Sequence, residues 1–357
     1  MTRPTTGPAP DGTGRGRTAP AAGPALLSAR DLAVRFPAPG GRTARAVDGV
    51  NLDLHPGEIL ALAGESGCGK TTVARTLLGL ERPTSGRVLF QGRPLGRRTR
   101  ELKAYRRQAQ LVLQDPTGAL NPRHTVYDAV AEGLRIHGIH DAERERVAEA
   151  LSRAGLRPAE KFFLAYPHEL SGGQRQRVVI AGALVLHPKL IIADEPVASL
   201  DASVRGEILA LLLRLRDELG LSAVVVTHDL GLAWNIADRI AVMYLGRIVE
   251  YGTVEEVLTR PRHPYTRALV SVLPDSPLGE PQVLSGEPPD ATAVPGGCRF
   301  HPRCPALARG QAEAAGVAGA CRAAPLPVLP PGVPGAACHL AAASGEAAVG
   351  DGRRKLP

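Results

Sequence analysis

The stretch Gly64-Glu65-Ser66-Gly67-Cys68-Gly69-Lys70-Thr71 decides the fold. It fits the pattern G-x-x-x-x-G-K-[ST], in which glycines let a loop curl until several backbone N–H groups point at one anion. Its flanks agree with it. Glu58–Ala63 (EILALA) is a short apolar run that ends at Gly64 and reads as a buried strand, and Gly69–Leu78 continues with helical spacing. Strand, glycine-rich loop and helix together make a phosphate-binding α/β unit, the helix N-terminus adding positive potential. Within it, Lys70 is placed to reach the β- and γ-phosphates of a nucleotide, and the Thr71 hydroxyl to ligate Mg²⁺. The alternative is a glycine-rich turn that fits the pattern by chance, and the two flanking elements speak against it.

Outward from the loop, Ala29–Phe36 and Ala46–Leu54 read as strands joined through the turn Pro39–Gly41. Leu111–Leu113, Leu190–Asp194 and Ala223–Thr227 read as further strands, and Asp141–Gly155, Gly173–Leu186 and Ser203–Leu219 as helices. Arg239–Tyr251 reads as a hairpin turning at Gly246, followed by a short helix near His263–Leu273. Helices alternating with buried strands imply a mostly parallel sheet covered on both faces. Two more stretches carry chemistry. Leu190-Ile191-Ile192-Ala193-Asp194-Glu195 is a buried strand that delivers Asp194 beside a metal, and Glu195 can orient or deprotonate an attacking water. Alone, two acids after a strand could also be a solvated turn. Leu170-Ser171-Gly172-Gly173-Gln174, then Arg175-Gln176-Arg177, opens a helix, where serine and glycines can cap the helix or offer N–H groups to an anion.

That last stretch resembles the LSGGQ signature of the ABC ATPases. The resemblance implies that ATP is sandwiched between one subunit's phosphate loop and the other's signature. Gly64 to Thr71 and Thr72 would then bind ATP, while Ser171, Gly172, Gly173 and Gln174 would meet the γ-phosphate and ribose on the partner. Further matches follow in the family's order. Gln114 looks like the Q-loop residue that contacts Mg²⁺ and water and senses the membrane subunit. Ala198-Ser199-Leu200-Asp201 resembles the D-loop, with Asp201 as its acid, and His228 resembles the switch histidine on the γ-phosphate. By itself His228 is a polar loop residue. Phe36 is either the aromatic that stacks on adenine or a core residue of its strand.

The likeness narrows further. Gly-Cys-Gly-Lys in the loop, Gln-Asp-Pro from Gln114, Leu-Asn-Pro-Arg at 120–123, Tyr-Pro-His-Glu-Leu before the signature, Val-Met-Tyr-Leu-Gly at 242–246 and His263-Pro264-Tyr265-Thr266 are similar to dipeptide/oligopeptide importer ATPases. Two positions depart from the pattern. Gly182 stands where an Arg is common, and Ala198-Ser199 inverts the usual Ser-Ala order. The resemblance implies a second ABC ATPase subunit as partner, in a heterodimer. It also implies two transmembrane permease subunits and, indirectly, an extracytoplasmic solute-binding protein. The cargo would be dipeptides or oligopeptides, with nickel or another small solute as the alternative.

Composition fits this setting. The chain has 357 residues, 44% of them hydrophobic and 22% charged. No stretch approaches the ~20 apolar residues a bilayer span needs, so a peripheral position on the cytoplasmic face is expected. The net charge of +8 is concentrated in the tails: residues 1–46 carry seven Arg against two Asp, and 351–357 three basic residues against one acid. Such a distribution speaks against a specific nucleic-acid surface. A soluble ABC ATPase acting on DNA or ribosomes is the rival class. Repair-type members carry a long coiled coil between loop and signature, whereas about 100 residues separate Lys70 from Ser171 here. A regulator with a vestigial ATPase is a third reading, opposed by the full set Lys70, Asp194, Glu195 and His228.

Cys298, Cys304, Cys321 and Cys338 lie in a proline-rich segment with little regular apolar period. Four thiols there argue for a metal staple, with incidental burial as the alternative. A Zn²⁺ site would ordinarily show a C-x₂-C knuckle, which is missing, and the importer family's cysteine pattern is associated with a [4Fe–4S] cluster. Iron–sulfur, zinc and no metal all remain open, and Cys68 belongs to the phosphate loop. The expected architecture is an α/β P-loop NTPase of the ABC type at 26–255, with a helical subdomain and an antiparallel β subdomain. A Cys-rich region follows at 256–340, between disordered tails at 1–25 and 341–357.

Overall fold

The computed structural model describes residues 23–345 apart from 275, 277 and 327, so most of the two expected tails lies outside the described residues. The strands are β1 (Leu27–Ala38), β2 (Arg42–Leu54), β3 (Ile59–Ala63), β4 (Ser85–Phe90), β5 (Arg93–Pro94) and β6 (Ala109–Val112). They continue as β7 (Leu190–Asp194), β8 (Ser222–Thr227), β9 (Arg239–Tyr244), β10 (Arg247–Thr253) and β11 (Gly335–Ala336). Among the longer helices are α1 (Lys70–Leu77), α2 (Thr99–Arg106), α3 (Val126–Ile136), α4 (Glu143–Arg153), α5 (Gly172–Leu184), α6 (Ala202–Leu219), α7 (Leu230–Ile236), α8 (Val254–Thr259) and α9 (Pro264–Ser271).

Two sheets organise these elements. One runs β2-β1-β4-β5, all antiparallel, and is the expected β subdomain. The other runs β11-β10-β9-β3-β8-β7-β6. Its strands from β9 to β6 are parallel, and β10 and β11 join antiparallel at one edge. Every residue of β3, β8 and β9 is buried, which is why their central residues are continuous apolar runs, with Ser222, Thr227 and Arg239 at the strand ends.

The parallel register sets the site. Ala63 pairs with Thr227, Asp194 with Val226, and Val112 with Ala193. The chains leaving β3, β6, β7 and β8 therefore emerge together at the carboxyl edge of one sheet, where open α/β sheets bind ligands. On one face α3, α4 and α5 share a core with the sheet through Val130, Leu134, Val147, Leu151 and Ile180. On the other, β1 and β2 pack Leu32, Val47 and Leu52 toward Leu60 and Leu62 of β3.

The Cys-rich region, expected as a small metal-stapled C-terminal appendage, packs on the main body through more than its cysteines. Its strand β11 extends the large sheet, pairing Ala336 with Glu250 and Gly335 with Tyr251. Phe300, fully buried, packs against Tyr244 (5.2 Å between ring centroids) and Tyr265 (5.3 Å). The sequence shows few apolar residues there at any period, but three aromatics from distant segments supply the anchor. Helix His339–Ala343 carries this region past the expected boundary at 340.

Candidate functional site

The loop after β3 curls because Gly64, Gly67 and Gly69 all take positive φ. A Cβ at Gly69 would meet the Ala46 carbonyl at 2.1 Å, and one at Gly64 the Met243 carbonyl at 2.2 Å. Only glycine fits where the loop presses on β2 and β9. Lys70, nearly fully buried, folds back over the loop, its Nζ donating to the carbonyls of Gly64 (2.7 Å) and Glu65 (2.8 Å). Cys68 lies beneath it, Sγ 3.9 Å from Nζ, and burial pushes its thiol pKa up.

At the end of β7, Asp194 accepts a 3.3 Å hydrogen bond from the Thr71 hydroxyl. Burial raises the Asp194 pKa, against the Thr71 hydrogen bond and the charge of Lys70. Hydroxyl, carboxylate and the Gln114 amide are oxygen donors of the kind Mg²⁺ takes beside phosphates, so these residues fit that ion. The next residue, Glu195, has φ of 48°, a left-handed conformation that turns the chain sharply off the strand. Its carboxylate accepts from Gln114 Nε2 (3.2 Å) and meets His228 Nδ1 at 3.0 Å. Gln114 follows Val112, and Glu195 follows Ala193, by two residues each, so the β6–β7 register brings them face to face. Ser199 closes the group by donating to the Gln114 carbonyl at 3.3 Å.

The other expected residues stand apart from this cluster. Ser171 caps α5: its hydroxyl accepts from the Gln174 N–H, and the Gln174 side chain accepts from the Ser171 N–H. Gly173 lies against Val204, 2.6 Å from where its Cβ would sit. Asp201 caps α6, accepting from Val204 N–H (3.0 Å) and the Ser203 hydroxyl (2.7 Å). Phe36 is exposed on β1 opposite Ala44, two residues before the Ala46 carbonyl on which the loop rests. At the departure Gly182 a Cβ would make only an ordinary contact, 3.8 Å from the Ala129 carbonyl, so the fold does not demand glycine there.

This geometry is matched by known proteins. The ABC transporter family model matches residues 47–198, and the model of the C-terminal region of oligopeptide/dipeptide transporters matches 249–309. The oligopeptide transport ATP-binding protein OppF of Escherichia coli is 45% identical over 297 residues, covering 78% of this chain and 88% of its own. The chain belongs to the ATP-binding subunits of the oligopeptide/dipeptide ABC transporters. AppF of Bacillus subtilis, also an oligopeptide transport ATP-binding protein, is 43% identical over 295 residues, covering 78% of this chain and 89% of its own. Among solved structures, cbiO1 from Clostridium perfringens superposes with a TM-score of 0.59 at 33% identity, over 66% of this chain and 91% of that one. The cassette MJ0796, a dimer bound to ADP and Pi, gives 0.58 at 31% identity, over 64% and 99%. As a member of this family the chain is an ATPase whose hydrolysis is coupled to transport.

Cys298 and Cys304 lie within the residues matched by the C-terminal-region model, and Cys321 and Cys338 lie beyond them. Cys298, Cys304, Cys321 and Cys338 line one small cavity, together with His263, Phe300, His301, Ala306, His339 and Leu340. Burial, then the neighbouring thiols, pushes Cys298 up to about 12 and contributes to about 11 at Cys338. The metal staple expected from the sequence is not assembled as such. Among the described residues no group of three or more His, Cys, Asp or Glu side chains could hold a metal ion. One buried polar atom at the cavity faces no partner: His263 Nε2, whose ring accepts the Tyr265 N–H through Nδ1 at 3.0 Å.

Two residues at the loop were not legible as functional from their own positions. Tyr265 and Arg303 both bond to Glu65. Tyr265 lies in the His-Pro-Tyr-Thr motif but that motif names no target, and a single Arg between Pro302 and Cys304 gives no sign of one.

Proposed function

We propose that the chain energises uptake of dipeptides or oligopeptides from the cytoplasmic face of the membrane. There it pairs with a second, different ATP-binding subunit and docks on two permease subunits supplied by an extracytoplasmic binding protein. No helix among the described residues is long and apolar enough to cross a membrane, so a permease partner would supply the path. The observation that carries the reading is the Glu195 carboxylate, held between Gln114 and His228 one residue beyond the Asp194–Thr71 contact.

In this mechanism the amides of the loop from Gly64 to Thr72 and the Lys70 ammonium cradle the phosphates. Thr71, Asp194 and Gln114 would hold Mg²⁺, which when bound neutralises phosphate charge. Glu195 orients and deprotonates the attacking water, and a carboxylate that already accepts two hydrogen bonds does so with little reorganisation. His228 fixes that carboxylate and turns toward the γ-phosphate, and Phe36 stacks on adenine. Ser171, Gly172, Gly173 and Gln174 meet the nucleotide on the partner's loop. Their support is that the hydrogen bonds of Ser171 and Gln174 close on each other at an exposed helix start. Asp201 and Ser199 relay closure through the D-loop.

The four cysteines are proposed to hold a [4Fe–4S] cluster, with Zn²⁺ as the alternative. Four thiols lining one cavity, beside an unpaired His263 Nε2, support a thiolate-held metal group there. Bound there, the cluster would supply metal–thiolate bonds that staple Cys298, Cys304, Cys321 and Cys338.

Reconstitution with the co-purifying permease in liposomes tests the transport reading. ATP-dependent uptake of a labelled dipeptide is expected. Uptake of nickel without peptide would replace the cargo, and co-purification with ribosomes or DNA in place of a permease would refute the transport reading. Recovery with a second copy of this chain would replace the heterodimer.

A further inference from the structure

Glu65 ties the phosphate loop to the C-terminal segment. Its carboxylate takes a two-pronged ion pair from Arg303, Nη1 to Oε2 at 2.8 Å and Nη2 to Oε1 at 3.1 Å. Its backbone N–H donates to the Tyr265 hydroxyl at 2.9 Å, and its carbonyl accepts from Lys70 Nζ at 2.8 Å. One residue thus meets the catalytic loop's lysine from one side and two side chains of the C-terminal segment from the other.

Both outside partners are rigid. The Arg303 side chain is 7% exposed, donates also to the Ser285 carbonyl at 3.2 Å and lies 6.0 Å from the Tyr244 ring centroid. Tyr265 is fully buried between Tyr244 (4.8 Å) and Phe300 (5.3 Å). A carboxylate in a loop that must bind a polyanion is an electrostatic liability, because like charges a few ångströms apart repel strongly where water is thin. A bidentate guanidinium cancels that charge and fixes the carboxylate's orientation at once. The tyrosine does the complementary work on the backbone: its hydroxyl takes the Glu65 N–H and so fixes the orientation of that peptide and the turn of the loop.

We infer that Arg303 and Tyr265 are positioning residues for nucleotide binding: the C-terminal segment sets the charge and shape of the phosphate loop through Glu65. The cysteine cavity is connected to the same device. Arg303 adjoins Cys304, and Tyr265 hydrogen-bonds through its own N–H to His263, and both Cys304 and His263 line that cavity. A change in how the cavity is filled therefore reaches the phosphate loop within one or two residues. The segment is more than a structural attachment.

The test uses the full chain and MgATP affinity measured by displacement of a fluorescent nucleotide. Arg303→Ala is expected to raise Kd about tenfold, the equivalent of ~1.4 kcal/mol. Adding Glu65→Gln removes the orphaned charge, so the double variant should recover most of the loss and show a weaker salt dependence than Arg303→Ala alone. Tyr265→Phe deletes one oxygen from an otherwise unchanged side chain and should raise Kd about threefold. It keeps the test decisive if Arg303→Ala does not fold. Kd within error of wild type in Tyr265→Phe and in any folded Arg303→Ala overturns the inference. So does a loss in Arg303→Ala that persists undiminished after Glu65→Gln, since Arg303 would then act only by folding its own segment.

Discussion

Glu195→Gln is the sharpest perturbation of the proposed chemistry. The substitution is isosteric, so the local structure can be followed atom by atom. The wild-type carboxylate accepts from Gln114 Nε2 at 3.2 Å and meets His228 Nδ1 at 3.0 Å. A glutamine keeps one oxygen to accept from Gln114, and its NH₂ can donate to Nδ1 of His228 once the ring takes its other tautomer, so both partners are kept with one bond reversed in direction. The left-handed backbone at φ 48° and the Glu195 N–H bond to the Val226 carbonyl at 3.0 Å are untouched. What disappears is a base and one negative charge. A positioned general base contributes ~10²–10⁴ in rate, which at ~1.4 kcal/mol per decade is roughly 3–5 kcal/mol of barrier. Steady-state phosphate release from the assembled transporter should therefore fall by about two to four orders of magnitude. MgATP affinity, set by Lys70 and the loop amides, should stay within about twofold and ATP-bound closed complex should accumulate. Turnover within threefold of wild type would remove Glu195 from the mechanism. A parallel loss of ATP affinity would show instead that the residue shapes the loop.

Three further outcomes are expected. Ser171→Arg places bulk and charge at the exposed start of α5, so it should abolish ATP-driven pairing and uptake while each subunit still binds nucleotide. Persistence of closure on size-exclusion chromatography would refute the sandwich. Arg239 is buried, pairs with both carboxylate oxygens of Glu58 and lies 5.2 Å from the Tyr251 ring. Arg239→Ala should therefore cost about 3–5 kcal/mol in denaturant unfolding, whereas Glu58→Leu with Arg239→Met should cost less than either single change, and a loss under ~1 kcal/mol would contradict that burial. Anaerobically purified protein should carry about four irons and four sulfides, and Cys321→Ser should lose both; zinc at one equivalent, or no metal, would overturn the cluster.

Local sequence was sufficient wherever a residue's role is fixed by its neighbours in the chain. The glycines at 64, 67 and 69 give a curled loop because all three take positive φ and no Cβ fits at Gly64 or Gly69, and the apolar runs of β3, β7 and β8 read as buried strands. The signature motif likewise announces its helix, since Ser171 and Gln174 form a capping box within four residues. Helix α3 carried a comparable signal, Thr125 capping Asp128, but its apolar face means little until α5 is set against it. Tertiary structure alone decided the rest. The meeting of Gln114 with Glu195 depends on the β6–β7 register, and of Glu195 with His228 on β8 lying beside β7. Four cysteines in a proline-rich segment suggested a metal staple, and only the fold gathers them around one cavity while Phe300 and β11 anchor their segment. The Arg303–Glu65 pair spans 238 positions, and no local pattern encodes a partner that far away. Chain-local propensity determines elements and loops, while long-range side-chain pairing is fixed only when burial of the common core brings distant segments to one place.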